Sequence, residues 1–142
     1  MEWDEYYLNL AREVAKRSKD PSTQVGAVIV DENNVVRATG YNGFPRGVSE
    51  PYERWQRPTK YSYVIHAELN AILNSQLLPN NQYTIYTTHD VCHECAKAII
   101  QAGIKRVVSA GGSFATDWDE KRELARTMLK EADVEFEFYE NE

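Results

Sequence analysis

The sequence predicts an α/β protein, a single domain over residues 1–142 arranged as a three-layer α/β/α sandwich on a five-stranded mixed sheet. Three observations carry that expectation. Runs that read as strands recur five times. Helical stretches fall between them in the order α-β-β-α-β-α-β-α-β, and helices between strands imply crossovers that cover the faces of a sheet. A length of 142 residues with 42% hydrophobic content suits one core and leaves no room for a second domain.

Each element has its own signal. Over residues 3–18, Leu8, Ala11, Val14 and Ala15 recur at helical spacing behind Trp3, Tyr6 and Tyr7, and Lys19-Asp20-Pro21-Ser22 stops the helix. Residues 25–30 form a short β-branched apolar run, a buried strand. Asp31-Glu32-Asn33-Asn34 is turn chemistry, and 35–40 returns as the second arm of a hairpin. Residues 41–64 carry Gly43, Pro45, Gly47, Pro51 and Pro58 and read as a long irregular loop, a length that leans functional. Residues 66–75 read as a mostly buried helix and 83–88 as a strand. A helix follows over 93–102, closed by Gly103. A fourth strand is centred on Val107-Val108, a last helix spans 117–130, and 134–139 alternates apolar and acidic residues as an edge strand.

Charge excludes some functions. The net charge is -6, and residues 117–142 alone, with ten acidic and four basic side chains, account for it. Such an end repels long nucleic acid. Arg46, Arg54, Arg57 and Lys60 crowd the 41–64 loop against Glu50 and Glu53, a place where a small anion could be met. Apolar runs stay well short of a membrane span. The acidic start is no signal peptide, and two cysteines three residues apart make no disulfide framework. A cytoplasmic, reducing setting is expected.

One pattern dominates the chemistry: His66-Ala67-Glu68, then Cys92-His93-Glu94-Cys95. The Cys-x-x-Cys pair opens an expected helix, whose free N–H groups favour thiolate over thiol. His66 opens another helix and offers a nitrogen, giving a soft set of three ligands suited to zinc. Structural zinc sites usually have four protein ligands, whereas three leave a place for water, so the count points to catalysis. Zinc lowers the pKa of bound water to roughly 7, and Glu68, two residues from a ligand, is suited to carry the proton. A Cys-x-x-Cys alone also fits a redox pair or two buried thiols; the conjunction with His-x-Glu favours the metal. His89 and His93 are rival ligands, but neither has a glutamate two residues on, and both read better as surface histidines.

At these residues the sequence resembles the deoxycytidylate (dCMP) deaminases of the cytidine deaminase-like superfamily. The likeness runs from about Ala15 to the C-terminus. It is carried by Ser18-Lys19-Asp20-Pro21, Gln24-Val25-Gly26-Ala27, Gly40-Tyr41-Asn42-Gly43-Phe44-Pro45-Arg46-Gly47, His66-Ala67-Glu68-Leu69-Asn70-Ala71-Ile72, Cys92-His93-Glu94-Cys95-Ala96-Lys97 and Ile99-Ile100-Gln101-Ala102-Gly103-Ile104-Lys105. The resemblance implies zinc-dependent hydrolysis of dCMP to dUMP and ammonia, feeding thymidylate synthesis. His66, Cys92 and Cys95 would hold zinc, and Glu68 would be the general acid and base.

A substrate-binding set of Ser22, Thr23, Asn42, Ala67, Ser113 and Phe114 is expected, within which the resemblance has Asn42 holding the sugar hydroxyl; Asn42 also reads as a left-handed turn residue before Gly43. The resemblance also implies a homo-hexamer activated by dCTP and inhibited by dTTP with Mg2+, the effector meeting Gly43, Arg46, Gly47 and Arg57. Two departures stand out. Val91 occupies the place of the proline usual before the first cysteine, and the loop after the fourth strand reads Gly111-Gly112-Ser113-Phe114 where a tyrosine is common. The latter widens the substrate reading to a dual dCMP/dCTP deaminase. A non-catalytic zinc-stabilised nucleotide sensor is the reading from another class.

Overall fold

A computed structural model of the chain describes residues 1–110 and 120–139. Its strands are β1 (Gly26–Asp31), β2 (Val36–Tyr41), β3 (Tyr83–Thr87), β4 (Arg106–Ala110) and β5 (Glu135–Tyr139), which lie side by side in the order β2-β1-β3-β4-β5. β1 is antiparallel to both of its neighbours, and β3, β4 and β5 are mutually parallel. The mixed five-stranded sheet of the sequence reading is therefore present. Its helices are α1 (Trp3–Ala15), α2 (Lys60–Tyr63), α3 (Ala67–Asn74), α4 (His93–Gln101) and α5 (Glu120–Glu131).

Alternation along the strands sorts side chains onto two faces. Ala27, Ile29, Ile85 and Val107 point into one core with Ala67 and Ala71 of α3, Ala96 and Ile99 of α4, and Ala125 and Leu129 of α5. Val28, Val30, Tyr86 and Val108 point the other way, onto Tyr7, Leu8 and Ala11 of α1. β1 is buried along its whole length, which explains its apolar sequence from Ala27 to Val30. Arg106 on β4 ties α1 to the sheet through Asp4 at 2.7 Å and also pairs with Glu135 at 3.0 Å and with Glu137.

Element ends differ from the sequence reading by a few residues. The first helix stops at Ala15 rather than 18. Lys16, Arg17 and Ser18 still close turn bonds to Glu13, Val14 and Ala15, but Ser18 Oγ donates to the Asn42 carbonyl at 2.8 Å, and the chain turns away. The expected start of the last helix, 117–119, lies outside the described residues. Residues 41–64 are less irregular than their proline content suggests: they hold a 3-10 turn (Tyr52–Trp55) and the single-turn helix α2. Phe44 packs on Trp55 and Tyr63, with ring centroids 4.4 and 5.4 Å away, so this segment owns a small aromatic core.

Lys60 corrects the idea of a uniformly basic loop. It is 5% exposed, and its ammonium binds Asp20 Oδ2 at 2.9 Å and Ser22 Oγ at 3.0 Å. Burial pushes the Asp20 carboxyl up, but the Ser22 and Thr23 N–H groups, the Ser22 hydroxyl and Lys60 outweigh it and hold the pKa below the ordinary value. A buried pair so surrounded pins the 41–64 segment to the turn after α1; removing one partner would strand a buried charge.

Two glycines set the helix distances. A Cβ on Gly26 would strike the Ala11 carbonyl of α1, and one on Gly40 would strike the backbone of Ala67 and Ala71 in α3. Because α3 carries the His-x-Glu sequence, Gly40 fixes how closely that helix sits on β2. Gly40→Ala is expected to destabilise the protein by about 1–3 kcal/mol or more through overpacking. Urea unfolding checks this, as a lower midpoint with an unchanged slope.

Candidate metal centre

Two helix starts converge here. His66 is the N-cap of α3, Cys92 is the N-cap of α4, and Cys95 lies in the first turn of α4. Helix α3 begins where it does because Ile65 and Gly43 exchange backbone hydrogen bonds, Ile65 N–H to Gly43 O at 2.8 Å and Gly43 N–H to Ile65 O at 3.1 Å. That bridge holds the residue just before His66. α3 and α4 share one core, and their starts bring His66, Cys92 and Cys95 together.

The three donors meet. His66 Nδ1 lies 3.4 Å from both Cys92 Sγ and Cys95 Sγ, and all three atoms fall within 4.8 Å of one another. For zinc bonded at its usual lengths to nitrogen and sulfur, a tetrahedral N···S edge is about 3.5 Å. The set therefore fits zinc in donor type and spacing. Among the described residues the cluster holds three ligands and no fourth, and neither His89 nor His93 joins it. His89 Nδ1 bonds Thr88 Oγ1 at 2.8 Å, and His93 Nε2 faces Glu94 at 3.3 Å.

The electrostatics favour a bound cation. Cys95 and His66 hydrogen-bond the Cys92 sulfur and pull its pKa well below the ordinary thiol value, which favours the thiolate there. Cys95 is pushed up, because its thiol proton is held in the hydrogen bond to Cys92, and burial and the charges of Glu68 and Cys92 also oppose a second thiolate. Contact with Cys92 holds His66 above its ordinary value. A divalent cation resolves this conflict by taking both thiolates and the neutral imidazole.

Glu68 is the remaining part. Its side chain projects from the first turn of α3 and is 4% exposed. Burial pushes its carboxyl up to about 7, against the pull of His66, while the Cys92 thiolate adds to the rise. A carboxyl that exchanges its proton near neutrality beside a three-ligand site is suited to general acid and base work.

Asn42 is 6% exposed and wholly engaged: Oδ1 accepts the Val25 N–H at 2.8 Å, and Nδ2 donates to Thr23 O at 2.9 Å and to Asp20 Oδ2 at 3.3 Å. It closes the turn after α1, and it is not among the residues with positive φ, so the left-handed turn role does not hold. Ser22 is exposed and its hydroxyl donates to Asp20 Oδ1 at 3.0 Å; the Thr23 N–H meets the same oxygen at 3.2 Å. Ala67 is buried at the start of α3.

Gly43 has its N–H committed to Ile65, which differs from the expectation that it approaches a phosphate. Gly47 has φ +84° with open space around it, and Arg46 and Arg57 are exposed, with Arg46 reaching Asn74 Oδ1 at 3.3 Å. Ser113 and Phe114 lie outside the described residues. Sequence reasoning missed Lys60, because its partner Asp20 is forty residues away and nothing local marks the pair.

The raised Glu68 carboxyl has a consequence for the metal-free protein. Below its ordinary value of 4.5 the group is protonated in both folded and unfolded chains, and its stabilising share is complete. As pH rises to about 7 the unfolded chain loses the proton while the folded chain keeps it, and that stability is lost. Glu68→Gln is expected to remove this loss, about 3 kcal/mol between the two plateaus. Thermal unfolding in chelator at acid and at alkaline pH should show the variant gaining on the parent as pH rises.

Comparison with known proteins agrees with this geometry. Residues 1–110 match the cytidine and deoxycytidylate deaminase zinc-binding region. The chain is 44% identical to the deoxycytidylate deaminase of Mus musculus over 142 aligned residues, covering 96% of this chain and 79% of the mouse protein. The Homo sapiens deoxycytidylate deaminase gives the same figures. The crystal structure of the cyanophage S-TIM5 dCMP deaminase, in complex with dCMP and dUMP, superposes with a TM-score of 0.74 at 29% identity, covering 95% of each chain. With its soft three-ligand cluster, its buried glutamate and these likenesses, the chain belongs to the zinc-binding family of cytidine and deoxycytidylate deaminases.

Proposed function

We propose that this protein hydrolyses dCMP to dUMP, consuming one water and releasing one ammonia. The observation that carries the reading is the cluster of His66, Cys92 and Cys95, three ligands that leave one coordination position to a reactant, with the buried carboxyl of Glu68 beside it. Support comes from the deoxycytidylate deaminases of mouse and man and from the phage enzyme, whose structure holds dCMP and dUMP.

His66, Cys92 and Cys95 would hold zinc, which when bound supplies Lewis acidity toward the attacking water. Glu68 takes a proton from that water and delivers it to ring N3, which makes C4 a better electrophile. As C4 becomes tetrahedral, Glu68 accepts the remaining hydroxyl proton and hands it to the departing amine, so that ammonia leaves and the 4-oxo ring remains. Because Glu68 is shut away from bulk water, its proton goes to substrate rather than to solvent.

The finer parts of the reading rest on the resemblance. Ser22, Thr23, Asn42 and Ala67 form the proposed substrate contacts, with Ser113 and Phe114. Regulation by dCTP as activator and dTTP as inhibitor, with Mg2+ on the triphosphate, is assigned to the segment around Gly43, Arg46, Gly47 and Arg57 in a homo-hexamer. The exposure of Arg46, next to Gly47 in sequence, and of Arg57 in the same segment supports an anion there. A cytoplasmic setting completes the reading; among the described residues no helix is long and apolar enough to cross a membrane.

Purified, zinc-loaded protein is expected to convert dCMP to dUMP, followed as loss of cytosine absorbance, with activity lost on chelation and regained with zinc. Glu68→Gln should keep the metal and lower kcat by about 10²–10⁴-fold. Full turnover by that variant would remove the role given to Glu68, and no dUMP from the zinc-loaded parent would remove the proposal. A dCMP saturation curve indifferent to dCTP and dTTP would remove the regulatory part alone.

A further inference from the structure

The turn that presents Cys92 is held from outside the metal site. Proline before the first cysteine belongs to the zinc-deaminase signature, and a proline there would fix φ and carry no N–H. This chain has Val91, which is 1% exposed, so its N–H needs an acceptor within the protein. That acceptor is Asp90 Oδ1 at 2.8 Å. The Asp90 side chain is itself 2% exposed, and its Oδ2 receives Arg126 Nη2 at 2.6 Å. Arg126 stands on α5, which packs along α4, and its guanidinium lies 5.5 and 5.0 Å from the ring centroids of Phe136 and Phe138 on β5.

We propose that Asp90 and Arg126 are positioning residues for the metal: the carboxylate braces the β3–α4 turn against α5 and gives Cys92 the fixed approach that a proline would otherwise supply. One oxygen of Asp90 orders the backbone next to the ligand, and the other is clamped by a cation that aromatic rings hold in place. Supporting contacts of this kind set how tightly a site keeps its metal. The inference rests on the zinc site described above but not on the identity of the substrate.

Zinc retention is the readout, taken from competition with a chromophoric chelator and needing no turnover. Arg126→Gln and Asp90→Ala are expected to weaken retention about 10- to 100-fold. Asp90→Asn, which keeps an acceptor for Val91 while losing the charge, is expected to fall between Asp90→Ala and the parent. Adding Val91→Pro to Asp90→Ala removes the stranded N–H and is expected to recover most of the lost retention. Arg126 is 40% exposed, so Arg126→Gln keeps the test decisive if Asp90→Ala does not fold.

Retention within twofold of the parent in both Arg126→Gln and Asp90→Ala would overturn the proposal. So would a double variant that holds zinc no better than Asp90→Ala alone, with unfolding of the chelator-treated proteins equally lowered, since the pair would then serve the fold only. A parent that keeps zinc in this way but leaves dCMP untouched would sink the activity and leave this inference standing.

Discussion

Everything in this molecule that bears on chemistry depends on two helices starting at the same point. An imidazole and a thiolate stand at the N-caps of α3 and α4, 3.4 Å apart, where unsatisfied backbone N–H groups favour negative charge. Neither helix can shift by an ångström without parting the donors. The shared core beneath them, Ala67, Ala71, Ala96 and Ile99 against Ala27, Ile29 and Ile85, is built largely of small and β-branched residues that permit close approach. The same geometry shields Glu68, so the packing that joins the ligands also tunes the proton carrier.

Much of this was legible in the residues themselves. β1 is buried throughout and reads as an apolar run up to Val30, while β2 alternates as a half-covered edge strand should. The ligand set was legible too, because metal chemistry demands residue types that hydrophobic packing does not. What the sequence hid were long-range polar contacts. Lys60 looks like one more surface cation, and only folding brings Asp20 to it. Asn42 looks like a turn residue or a ligand contact; in the fold all its side-chain groups meet the backbone and Asp20. Helix ends slipped for a related reason. Ser18 leaves the helix because Asn42 offers a carbonyl, a choice that local propensity does not contain.

The charges also sort differently in three dimensions. A count along 41–64 suggests a cationic patch, yet Lys60 is neutralised in the interior and Arg54 lies over the Tyr63 ring while donating to the Ser49 carbonyl at 3.1 Å. Arg46 and Arg57 are left facing solvent. Likewise the acidic C-terminal segment is partly answered within the chain: Arg106 gathers Glu135 and Glu137 together with Asp4 of α1. Net charge describes the outer field of a protein, whereas which charges remain free is a property of the fold.

The backbone bridge between Gly43 and Ile65 has an evolutionary consequence. It shuts the intervening segment at its neck, and that segment carries its own aromatic nucleus of Phe44, Trp55 and Tyr63. Doubling the length of a closed flexible loop costs only about 0.6 kcal/mol. Descendants of this architecture can therefore lengthen the appendage at its exposed turns, provided Lys60 keeps its buried partner Asp20, while the imidazole anchored at its exit stays where the sulfurs expect it.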